Sequence, residues 1–160
     1  MSNAARLNAD KYLSFEVNNE LFGIEILDVK EIIALMEITQ IPKMPNFVKG
    51  VINLRGQIIP IIDFRLKFDL EEVEHTSRTA IIICIIDDSY VGFIVDKTAY
   101  VLNITNEDIS SAPKFGTLID TNFLKSMAKT THGIVMIIDI KKIFSENERE
   151  QISSIEKNNE

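Results

Sequence analysis

Residues 49–65 read KGVINLRGQIIPIIDFR, two apolar runs separated by the pair Arg55-Gly56. Short runs rich in Val and Ile on either side of a turn residue are how a hairpin of a small β domain reads. Pro60 adds a constraint. A proline has no donor for a sheet ladder, so IIPII either forms an edge strand or turns Pro60 away from a partner. The hairpin design recurs along the chain. Residues 12–17 (YLSFEV) and 21–25 (LFGIE) flank Asn18-Asn19-Glu20, and residues 79–86 and 90–95 flank Asp87-Asp88.

The recurrence amounts to an internal repeat. Phe22-Gly23-Ile24 corresponds to Val91-Gly92-Phe93. The run from Gly56 to Asp63, followed by Leu66 and Phe68, corresponds to the run from Gly133 to Asp139, followed by Ile143 and Phe144. Each copy alone is marginal for an independent core, so packing one copy against the other is expected to bury what neither covers. The sequence therefore predicts a mainly β fold of two small barrels with a shared interface, approximately residues 12–70 and 78–144. An N-terminal arm (1–11) precedes them, and a C-terminal helix and tail (145–160) follow, with Ile152 and Ile155 docking.

Helices are expected to be few. Residues 26–35 (ILDVKEIIAL) fit either a helical period or a turn leading into a strand, and the β context favours the second. Residues 44–50, with Pro near the start and Gly at the end, predict a single helical turn. Residues 122–128 predict another, with Asn122 as its cap.

Composition narrows the function. The 160 residues carry 24 Asp and Glu against 17 Lys and Arg, a net charge of −7, which repels phosphate backbones and argues against a nucleic-acid partner. The single cysteine, Cys84, lies inside the apolar run IIICII, so a buried thiol in a reducing compartment is expected. That run is far shorter than the ~20 residues of a membrane helix, and residues 1–10 lack the apolar stretch of a signal peptide. A cytoplasmic protein without membrane insertion is the expectation.

Phosphate-loop, dinucleotide, esterase and zincin signatures are missing. His75 sits in a polar segment and His132 beside a turn, and neither has a second ligand at zinc spacing. Glu71, Glu72 and Glu74 read as a solvated connection, Asp63 and Asp139 as caps closing equivalent strands. No catalytic residue, metal or cofactor is expected. A small β-barrel enzyme with an unrecognised site stands as the alternative of a different class. Arg55 keeps two readings at this point: a solvated residue beside a turn glycine, or a fork of donors held rigidly at the rim of a groove.

The pattern Gly50-Val51-Ile52-Asn53-Leu54-Arg55-Gly56, then Pro60-Ile61-Ile62-Asp63, resembles the CheW family of bacterial chemotaxis adaptors. Agreement continues through residues 22–33, Ile41-Pro42, Pro45, Phe47-Val48 and Arg65. In the second half it includes Val91-Gly92, Val95-Asp96, Val101-Leu102, Ile109 and Ala112-Pro113. The resemblance implies two packed five-stranded SH3-like β-barrels. It implies an adaptor without catalytic activity that couples the cytoplasmic tip of chemoreceptors to the regulatory domain of the histidine kinase CheA, with adaptor rings possible. An adaptor of a related pathway such as pilus motility is the near alternative. Residue by residue, the receptor contact falls on Val29, Glu31, Asn53 and Arg55, while Gly50 and Gly56 act through backbone shape.

Overall fold

The computed structural model describes residues 11–111 and 122–157. The first ten residues, Ala112-Pro113 and the tail past 157 lie outside that range. Among the described residues eleven strands form two sheets. The first contains β1 (Lys11–Val17), β2 (Glu20–Glu25), β8 (Lys97–Asn103), β9 (Ile109–Ser111), β10 (Leu124–Thr130) and β11 (Gly133–Ile138), in the order β8-β1-β2-β11-β10-β9. The second contains β3 (Val29–Ala34), β4 (Val48–Leu54), β5 (Gln57–Asp63), β6 (Ala80–Ile86) and β7 (Ser89–Val95), in the order β3-β6-β7-β5-β4. Two α-helices follow strands: α1 (Phe64–Lys67) after β5, and α2 (Glu146–Lys157) near the C-terminus.

The expected division of the chain at 12–70 and 78–144 is corrected by this topology. Each sheet takes strands from both halves, because the glycine strand of one half pairs in parallel with the post-turn strand of the other. In one sheet Ile61 faces Gly92, and in the other Ile137 faces Gly23. These are the repeat-equivalent pairs, so the duplication is real but its copies are interwoven. Asp63 and Asp139 also match: their N–H groups donate to Phe47 and Phe123 at 2.8 Å each, and their carboxylates cap Leu66 and Lys141.

Each sheet closes through the chain leaving one of its edges. After β8 the chain returns as β9 and pairs with β10; after β3 it returns at Thr39, which makes both hydrogen bonds of an isolated bridge with Val51 at 2.8 Å. The six-to-five difference in strand number lies in that last segment alone. Closure buries the central strand β6 on both faces. In β6, Ile81 and Ile83 face a cluster enclosed by the five-stranded sheet with Ile52, Ile59 and Ile61, while Ile82, Cys84 and Ile86 face the large cluster between the sheets. That explains a strand with no polar alternation. Ile152 and Ile155 of α2 complete the inter-sheet cluster as expected.

Two helical expectations are corrected. Residues 44–50 form only a β-turn, Val48 N–H donating to Pro45 C=O at 3.0 Å, before β4 begins. Residues 122–128 are a turn running into β10, whose buried Ser126 and Ala128 follow the period of a strand. Pro60 takes the second of its two options, since β5 is an interior strand. It stands opposite Val51, whose N–H and C=O both bond Thr39, and the parallel ladder with β7 starts only at Ile61.

Arg65 and Asp96 staple the sheets together. The guanidinium donates twice to the carboxylate, at 2.9 and 2.6 Å, and Asp96 also accepts the Asn18 N–H at 2.8 Å. Burial alone would raise the Asp96 carboxyl, but Arg65 and the Asn18 amide outweigh it and hold the group below its ordinary 3.8. A depressed carboxyl contributes stability that is present above its unfolded pKa and lost as pH falls through the folded one. Asp96→Asn is therefore expected to cost about 1.5–3 kcal/mol at neutral pH, with the difference from wild type shrinking below about pH 4. Denaturant titrations at several pH values measure it, and a pH-independent difference would contradict the pairing.

Candidate functional site

The seam of the five-stranded sheet brings three of the four sequence-designated residues together. Asn53, Arg55 and Gly56 lie at the β4–β5 hairpin, and Glu31 lies on the edge strand β3. Leu54 pairs with Gln57, leaving Arg55-Gly56 as a two-residue turn with both φ angles positive, +52° and +85°. Positive φ at both positions is the type I′ signature that matches the twist of paired strands. The Asn53 Oδ1 accepts the Gly56 N–H at 2.9 Å. Asn53 is thus part of the turn's own hydrogen bonding, a role the sequence reading did not assign.

Arg55 reaches across the seam and forms an ion pair from Nη2 to Glu31 Oε1. The Arg55 side chain remains 68% exposed against 29% for Glu31, so the guanidinium keeps most of its surface open to a partner. Gly50 lies deeper in the same seam, in the middle of β4 rather than at a helix end, and at φ +141°. Gly56, by contrast, has open space around its Cβ position and acts through its φ alone.

Val29 is set apart from Glu31 by a bulge in the β3–β6 pairing. It stands opposite Cys84, as Ile32 stands opposite Ile82, and that face of β6 looks into the inter-sheet cluster. Val29 packs on the cluster half-buried, while Ile32 and the preceding Leu27 are exposed. Val29 and Ile32 thus give β3 an apolar face next to the exposed Leu27, whereas Glu31, opposite Ile83, belongs to the other face of this edge strand, where Arg55 meets it. The exposure of Leu27 was not visible in the sequence, because one leucine in a 3-10 turn leaves no periodic signal. Behind Val29, burial and then the Asp28 charge push the Cys84 thiol well up, so it behaves as an apolar side chain.

Among the described residues no group of three or more His, Cys, Asp and Glu could hold a metal. His75 is exposed in the acidic connection, and His132 stacks on Tyr100 with ring centroids 3.9 Å apart. No described helix is long and apolar enough to cross a membrane.

Residues 11–148 match the family model of the CheW-like domain. The chain belongs to the CheW-like family. It is 36% identical over 147 residues to chemotaxis protein CheW of Klebsiella aerogenes, covering 92% of this chain and 89% of that one. Identity to the protein of the same name in Bacillus subtilis is 35% over 135 residues, with 84% and 86% covered. Among solved structures, the scaffolding protein TtCheW of Thermoanaerobacter tengcongensis superposes with a TM-score of 0.79 at 37% identity, covering 87% of this chain and 94% of the other. The family is one of chemotaxis scaffolds and adaptors, and its two-sheet architecture is the one described above.

Proposed function

We propose that this chain is a non-catalytic cytoplasmic adaptor that couples the cytoplasmic tip of chemoreceptors to the regulatory domain of the histidine kinase CheA. The observation that carries the receptor half is the seam itself: an edge strand, β3, with the apolar Val29 and Ile32 on one face and, on the other, Glu31 holding an exposed guanidinium. A receptor helix along this edge would lay its apolar positions on the apolar face and offer an acceptor to Arg55. An exposed ion pair contributes only about 0–1 kcal/mol. Exchanging Glu31 for an acceptor on the partner therefore costs little, and the pair keeps the side chain aimed until the partner arrives.

Binding of purified chemoreceptor signalling fragment and purified kinase, measured separately, tests the reading. Arg55→Glu is expected to weaken receptor binding at least tenfold and leave kinase binding in place. Arg55→Ala is expected to stay within ~0.5 kcal/mol of wild-type stability, as surface substitutions do. Equal loss of both partners, or a large loss of stability in Arg55→Ala, would make Arg55 a structural residue and sink the assignment.

A further inference from the structure

We infer that Arg55 is a strained residue kept in its turn for its charge, and that Asn53 is the positioning residue that holds it there. The inference rests on the receptor-docking reading above and deepens it. Among the described residues seven non-glycine positions have positive φ, and five of them are Asn or Asp: Asn18, Asn19, Asp69, Asp87 and Asp88. Those are the side chains that tolerate the left-handed region best. Two hairpins of this protein, at Asn18-Asn19 and Asp87-Asp88, fill both turn positions with them. The β4–β5 hairpin has the same two-residue length but places arginine at φ +52°, where asparagine is the favoured residue.

The fold itself does not demand this arrangement. The repeat-equivalent hairpin between β10 and β11 has no non-glycine residue at positive φ and is tied instead by the Thr130 hydroxyl, which donates to Gly133 C=O at 2.7 Å and accepts the His132 N–H at 3.1 Å. Backbone strain that the architecture can do without concentrates where a side chain is needed in one direction. At the β4–β5 turn the local compensation comes from one group, the Asn53 carboxamide oxygen on the Gly56 N–H. Asn53 follows the buried Ile52 on β4 and is itself exposed, so its identity answers to the turn and not to the core.

Three variants separate this from the alternatives, each read by melting temperature, by hydrogen exchange of the Gly56 amide, and by binding to purified chemoreceptor signalling fragment. Arg55→Asn is expected to raise the melting temperature while losing receptor binding. Asn53→Ala is expected to speed Gly56 exchange about tenfold, the loss of one ordinary hydrogen bond, and to weaken binding. Asn53→Asp, which keeps the acceptor, is expected to restore both. A lower melting temperature in Arg55→Asn would overturn the strain. Failure of Asn53→Asp to restore binding while Gly56 stays protected would make Asn53 a direct contact, overturning the positioning role. If the wild type does not bind the fragment, the docking reading falls and takes the purpose of the strain with it, while melting and exchange still decide whether the turn is strained and held as described.

Discussion

Gly50→Ala is expected to abolish folding or to cost more than about 4 kcal/mol, the range reached only when a substitution strikes one of a few severe mechanisms. Two of them act together here. The backbone sits at φ +141°, where a side chain is strained wherever it points. A Cβ would also run into the Thr39 carbonyl, lying 2.7 Å from its carbon, and Thr39 is backbone that cannot rotate away. Thr39 is held because it makes both bridge hydrogen bonds with Val51, and that bridge closes the five-stranded sheet. Relief of the clash therefore means opening the seam that carries Glu31 and Arg55. Circular dichroism and thermal melting of the variant measure the effect. Gly56→Ala serves as the control: with open space around it, only its φ of +85° resists, and about 1 kcal/mol is expected. Similar losses in the two variants would mean that the close approach at Gly50 is not what matters.

The strands were legible because their turns were: Asn18-Asn19, Arg55-Gly56 and Asp87-Asp88 each mark a hairpin that the register confirms. The repeat was legible for the same reason. Its interweaving was not, since the Ile61–Gly92 and Ile137–Gly23 pairings join distant positions, and period-two patterning says which residues are buried without saying which strand covers them. The helical turns at 44–50 and 122–128 were misread because Pro and Gly, or an N-cap asparagine, mark a β-turn as readily as a helix start.

Within the site, Val29, Glu31, Asn53 and Arg55 came from family resemblance and not from the residues alone. The structure brings Glu31 and Arg55 into contact and gives Asn53 a turn bond. No spacing rule could have joined Glu31 to Arg55. Their meeting depends on closure of the sheet through Thr39, a single bridge that leaves no pattern of its own.

Ile61→Ala is expected to cost about 2–5 kcal/mol, the range for truncating a fully buried isoleucine. Ile61 has no exposed surface, and its Cδ1 lies 2.6 Å from where a Cβ on Gly92 would be. The glycine thus makes room for this side chain, and the enclosed cluster with Ile59, Ile81, Ile83 and Ile94 closes around it. Truncation leaves a cavity walled by β-branched side chains that have few alternative rotamers with which to fill it. The expected value is therefore in the upper half of the range. Gly92→Ala fails for the converse reason, overpacking against Ile61, Ile81 and Ile83, where such insertions cost about 1–3 kcal/mol. The two changes share one space, so the double variant Ile61→Ala/Gly92→Ala is expected to be more stable than the sum of the single losses implies. Denaturant unfolding of the three variants measures the coupling. Strict additivity would show that Gly92 does not make room for Ile61, and that the parallel β5–β7 pairing which interweaves the two halves is not what fixes a glycine at that position.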